Sequence, residues 1–192
     1  MSAAAPAPDA RRPPYERSAP VLSFTAHGIP KPQGSKNAFQ HPKTGKIIVT
    51  ESSKALKPWR SIVTAAIRDA ITRTPAPAMG WPLLGPLALD VLFTMPKPKS
   101  AAKTRRTWPI TYPDLDKLTR AIFDAGSPNP KLHFTGAWAD DAQIISLRAD
   151  EVYPLETPGA LTYPGITATV YLIAPQPATD PGVQVALFQE SP

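Results

Sequence analysis

Aspartates stand in two close pairs in this sequence, Asp114 and Asp116 within YPDLDKLTRAIFDA and Asp140 and Asp141 within GAWADDAQII. Clustered carboxylates, in a chain with no cysteine and 3 histidines, are the ligands that a hard cation such as Mg²⁺ requires. In-line hydrolysis of a phosphodiester needs a polarised phosphoryl oxygen, an activated water and relief of charge on the leaving oxygen, and bound Mg²⁺ supplies all three. Each aspartate also has a plainer use. Asp114 stands where a helix N-cap belongs, Asp116 and Arg120 have the spacing of an ordinary i, i+4 ion pair, and Asp140 with Asp141 suits a turn before a strand.

The elements around these residues decide what they can reach. Leu115, Leu118, Ile122 and Ala125 form one apolar stripe behind Asp114, and Gly126 is a suitable helical stop, which predicts a short helix. From its mouth Asp114 and Asp116 can aim at one point beyond the terminus, and Arg120, on the same face as Asp116, can offset developing negative charge. A strand over Ala142 to Tyr153 follows the second pair, and its place in the sheet is expected to bring one of that pair against the helix mouth. Neighbours on a strand face opposite ways, so only one of the two is expected to be a ligand.

Along the rest of the chain, Met1 to Pro20 is rich in Ala and Pro and reads as a disordered arm. Val21 to His27 alternates as a strand does. GIPKPQGSKNAFQHPKTGK then predicts a long basic loop or hairpin with Thr44 and Gly45 at a turn, and Ile47 to Thr50 a returning strand. Ser52 and Ser53 are helix-start residues, and Leu56, Trp59, Ile62, Val63, Ala66, Ile67, Ala70 and Ile71 follow at helical spacing to near Arg73, with Pro58 tolerable only in the first turn. Strands are expected at Pro86 to Phe93 and Ile166 to Ile173, and loops at Met95 to Pro109 and Ser127 to Thr135. The expected fold class is α/β of the α+β type, a small mixed sheet with two helices. It forms one domain over residues 21–175, with a loose tail over 176–192.

The net charge of +6 and pI near 9.7 conceal an asymmetry, because Ala149 to Pro192 holds five acids and neither Lys nor Arg. His27 to Arg60 carries seven Lys or Arg against Glu51, and Met95 to Arg106 carries five against none. Such patches attract a polyanion, and Lys31, Lys36, Lys43, Lys46, Lys97, Lys99, Lys103, Arg105, Arg106 and Lys117 are the candidate contacts to a DNA backbone. The absence of cysteine excludes a disulfide framework, a thiolate zinc site and a Cys nucleophile. The three histidines are too scattered for a zinc or triad pattern. No apolar run spans a membrane and no signal peptide is evident, so the expected location is cytoplasmic, in a bacterial or phage-infected cell.

PDLDKLTRAIFDA followed by WADDAQI resembles the RusA-type Holliday junction resolvases, whose helix reads PD-x-DN-xx-K-xx-DAL and whose next strand opens with W-x-DDxQ. FTAHGIPKPQGSK is similar to that family's opening strand and basic segment, and the likeness covers roughly Leu22 to Ile173. It implies a homodimeric, Mg²⁺-dependent endonuclease, with Mn²⁺ a candidate substitute, that binds four-way junctions by shape and nicks two strands symmetrically. By that resemblance Asp114, Asp116 and Asp141 are the catalytic, metal-binding carboxylates and Asp140 an accessory. Arg120 falls on the family's lysine, where it keeps the charge but cannot readily give up a proton. Lys117 replaces the usual asparagine, and the Gly126 to Thr135 loop, with Lys131 and His133, exceeds that of compact members.

The resulting expectation is a junction resolvase of phage or prophage DNA recombination or repair. Its rivals are a non-catalytic DNA-binding protein and a metal nuclease for another branched or single-stranded substrate.

Overall fold

The computed structural model describes residues 15–34, 36–40, 42, 44–51, 55–102 and 104–174. Its elements are β1 (Arg17–His27), β2 (Lys36–Gln40), β3 (Ile47–Glu51), α1 (Leu56–Arg73), β4 (Leu87–Thr94), α2 (Leu115–Gly126), β5 (Ile144–Val152) and β6 (Gly165–Ile173). Strands β1, β6, β4 and β5 form a four-stranded sheet in that order, and β2 pairs with β3 as a separate hairpin. β4 runs antiparallel to β6 and parallel to β5, so the sheet is mixed and the fold is α+β.

Alternation along the strands separates the two faces. Phe24 lies opposite Ala168, and Val91 and Phe93 opposite Ala168 and Ile166, so these buried side chains share one face. Onto that face pack Leu56, Trp59, Val63, Ile67 and Ala70 of α1 and Leu118, Ala121, Ile122 and Ala125 of α2, all at helical spacing and within one core cluster. Pro58 sits in the first turn of α1, where its missing N–H breaks no ladder bond. Ser52 and Ser53 lie outside the described residues, as do residues 1–14 of the expected arm and 175–192 of the tail.

The first strand begins at Arg17, earlier than the alternation from Val21 indicates. Arg17 explains the extension, because its guanidinium donates to Asp90 on β4 at 2.8 Å and to Ser146 on β5 at 3.0 Å, and lies over the Tyr171 ring. An ion pair reaching across the sheet ties a segment that composition alone assigns to the arm. The basic stretch after β1 forms the β2–β3 hairpin, with Gly45 at φ 66° in its turn. Just before it, the Gln33 N–H donates to the Lys117 carbonyl at 2.8 Å, which fastens the segment to the first turn of α2.

Gly126 ends α2 for a different reason than a left-handed cap. It belongs to the helix, the cap residue is Ser127 at φ −76°, and a Cβ on Gly126 would stand 2.1 Å from the Trp138 ring. Trp138 is fully buried and its indole N–H donates to Ser127 Oγ at 3.3 Å, so it is a core residue and no exposed stacking platform. Trp59 is likewise core.

Candidate active site

β4, α2 and β5 form a βαβ unit, and its geometry governs the acids. Parallel strands must be joined by a crossover that returns the chain to the starting end of the sheet. α2 makes that return, so its first residue lies toward the carboxyl ends of β4 and β5 and its last toward their amino ends. Asp114 and Asp116 therefore stand at one end of α2, and Asp140 and Asp141, just before β5, belong to the other. A helix of 12 residues is roughly 18 Å long at about 1.5 Å per residue. The expectation that one member of the second pair meets the helix mouth is not met within one chain. The returning strand of a parallel unit starts at the far end from the mouth of the helix that precedes it.

At the near end, Asp114 occupies the N-cap position in extended conformation (φ −75°, ψ 137°), yet its side chain makes no capping hydrogen bond. It accepts instead from the Lys117 ammonium, whose pKa is raised first by that hydrogen bond and charge, with Asp116 and Tyr112 adding to it. Lys117, where the family motif has asparagine, thus faces the acids and neutralises part of their charge. Asp116 and Arg120 are both exposed, and among the described residues Asp116 and Arg120 form no salt bridge with each other.

Glu151 stands toward the same end, within reach of the charge of Asp114, and motif reading passes over it. It lies opposite Phe93 near the end of β5, and its Oε2 is buried with no hydrogen-bond partner. Burial, then the charge of Asp114, pushes its carboxyl up to about 7. The available signal was an acid in strand alternation with the partly buried Ala149 and the buried Tyr153.

At the far end, DDAQ forms a 3-10 turn over Asp141–Gln143 rather than the opening of the strand. Asp140 caps it, accepting from the Ala142 N–H at 2.8 Å, while Gln143 Oε1 accepts from the N–H groups of Ala139 and Asp140. The Gln143 amide donates to the carbonyls of Leu83 and Gly85, pinning the turn to the segment before β4. Asp140 and Gln143 are thereby engaged in holding the turn. Asp141 remains exposed, its pKa raised by partial burial, by the hydrogen bond and charge of Asp140, and by the charge of Asp124.

A donor set made only of carboxylates, with one orphaned buried oxygen on Glu151, fits a hard divalent cation in type. Among the described residues of one chain, however, no three His, Asp or Glu side chains converge enough to hold an ion.

The basic residues separate by structure. Lys31, Lys46, Lys99 and Arg105 are at least partly solvent-accessible in loops or at the hairpin turn. Lys97 is engaged inside the fold, donating to Glu156 and to the Ala102 carbonyl and lying over the Tyr153 ring. Arg106 stacks on Trp108 at 4.0 Å and donates to Thr157. Lys43, Lys103 and the side chain of Lys36 lie outside the described residues. No helix among the described residues is long and apolar enough to cross a membrane.

Acids thus stand at both ends of one helix within an α+β fold whose chain carries a net charge of +6. The family described as endodeoxyribonuclease RusA matches residues 29–161, and the chain belongs to that family. Membership implies a DNA endonuclease, a hydrolase, and points to Holliday junction resolution on branched DNA. The chain is also 25% identical over 146 residues to the uncharacterized protein YqaN of Bacillus subtilis strain 168, covering 70% of this chain and 89% of that one.

Proposed function

We propose that the protein is a Mg²⁺-dependent resolvase that cuts four-way DNA junctions by paired symmetric nicks, as a homodimer, in phage or prophage DNA processing. The observation that carries this reading is the Asp114 carboxylate at the mouth of α2, free of capping and beside the orphaned oxygen of Glu151. Asp114, Asp116 and Asp141 would hold the metal, with Glu151 beside them. Bound there, Mg²⁺ would polarise the phosphoryl group and lower the pKa of a water.

The opposite placement of Asp141 gives the dimer a role. A two-fold axis places the same surface of each copy against the other, so the Asp114 end of one chain can face the Asp141 end of its partner. Two such composite sites, related by the axis, suit symmetric nicking of opposed strands. Arg120, exposed one turn into α2, would stabilise charge on the phosphoryl group as it reacts; its guanidinium keeps its proton, so proton transfer is not its part. Lys117 would give up Asp114 as the site is loaded, and exposed loop cations such as Lys31, Lys46, Lys99 and Arg105 would hold the arms by their phosphates.

The test is a labelled synthetic four-way junction incubated with the protein in Mg²⁺, in Mn²⁺ and in EDTA, with flap and duplex DNA as competitors. Paired nicks at symmetric positions, abolished by EDTA, are expected. Junction binding with no cleavage in either metal would leave a DNA-binding protein instead, and preferential cutting of the flap would leave a nuclease of another branched substrate.

A further inference from the structure

α1 and the loop that follows α2 enclose a cleft of ≈ 420 Å³, whose lining includes Lys57, Arg60, Ser61, Asp124, Asn129 and Lys131. Lys57, Arg60 and Ser61 recur at helical spacing on one face of α1, and Asn129 and Lys131 come from the loop. That loop is a built wall. Asn129 and Phe134 exchange backbone hydrogen bonds of 2.8 and 3.1 Å, and Phe134 is buried. From α1, Arg68 donates to the Leu132 carbonyl at 2.7 Å and lays its guanidinium over the Phe134 ring. An insertion tolerated only as surface has no need of these ties, and their effect is to hold Lys131 on the same cleft as Lys57.

The chemistry of the lining is that of a phosphate site. Its single carboxylate, Asp124, is paired with Arg60 at 2.5 Å, and the cations exceed it. The Asn129 amide adds a neutral donor of the kind found around backbone phosphates of nucleic acids, while the Ser61 hydroxyl donates to the Lys57 carbonyl at 3.0 Å. The cleft also adjoins the far end of α2, because Asp124 and Ala125 of that helix's last turn line it.

We propose that this cleft binds a backbone phosphate of the nucleic-acid strand that passes the Asp141 end of α2. This deepens the nuclease reading above and rests on it for the identity of the strand. Lys57 and Lys131 are its principal contacts, while Arg60 holds the acid in an ion pair.

The experiment compares the full-length protein with the Lys57→Ala/Lys131→Ala double variant, measuring affinity for a fluorescent four-way junction in EDTA over a series of salt concentrations. Each lost phosphate contact removes about 0.9 from the slope of log K against log salt, so the slope should become shallower by about two and affinity should fall roughly tenfold at moderate salt. Melting temperature should not change, because both lysines are exposed. Should the double variant melt early, Lys131→Ala alone is used, and its slope should fall by about one. Affinity and slope equal to wild type in a variant of normal stability would overturn the proposal. A wild-type protein that binds the junction in EDTA yet never cuts it in Mg²⁺ sinks the nuclease reading, and the cleft is then judged by the affinity data. A wild-type protein that binds no DNA sinks both.

Discussion

Glu151, near the end of β5, lies close enough to Asp114 to feel its charge, and burial together with that charge holds the Glu151 carboxyl up to about 7. The pairing arises from the parallel register of β4 and β5, which carries Glu151 to the same end of the sheet as the mouth of α2. A half-buried carboxylate with an orphaned oxygen is a local cost that a cation or a proton relieves.

Replacing that group tests its role from two sides. In EDTA at pH 8, Glu151→Gln removes the ill-solvated charge and should raise stability, by on the order of 1 kcal/mol or less given its partial exposure, seen as a small rise in melting temperature. In Mg²⁺ the same variant should cut junctions more slowly. An unaltered cleavage rate would remove Glu151 from the site.

Asp114→Asn, Asp116→Asn and Asp141→Asn should each retain junction binding and lose cleavage by roughly a hundredfold or more, as measured under single-turnover conditions. Mixing Asp114→Asn with Asp141→Asn subunits is more discriminating. In a heterodimer with composite sites, one site receives both defects and the other is wholly wild type, so single nicks should reappear without their symmetric partners. No recovery from subunits shown to exchange would confine each site to one chain.

Gly126→Ala places a methyl group against the Trp138 ring, where the Cβ would stand 2.1 Å away in a packed core. A loss of about 1 to 3 kcal/mol in urea denaturation is expected from such overpacking. Adding Trp138→Leu to this variant should recover part of it by vacating the space, whereas a glycine needed for backbone conformation would gain nothing from the second change.

Acid should weaken the junction between the second basic loop and the segment after β5. The Glu156 carboxyl is lowered below its ordinary value, first by the hydrogen bond from Lys97 and then by the Thr107 N–H. A depressed carboxyl contributes stability that is present above its unfolded value of 4.5 and is lost as pH falls through its lower folded value. Thermal melts of wild type and Glu156→Gln should therefore differ at pH 6 and converge toward pH 3.

Much of the architecture was legible in residue order. The stripes of α1 and α2, the alternation of β1 and β6 and the hairpin turn at Gly45 are local patterns, and each leads to the element observed. The reach of β1 back to Arg17 was not legible, because it depends on Asp90 and Ser146 in strands that only the folded sheet brings alongside. Local pattern also assigned Gly126 to a cap, whereas its neighbour is a tryptophan brought in by the next loop.

For the site the division is sharper. Residue types and spacing by themselves determined the chemistry on offer: carboxylates without thiols, a basic surface around them, and the DLD and DDAQ motifs in family order. Which acids meet was decided by tertiary structure alone. A parallel βαβ unit carries the chain back along its helix, so two motifs adjacent in sequence are set at opposite ends of α2, while Glu151, remote in sequence and outside both motifs, arrives beside Asp114.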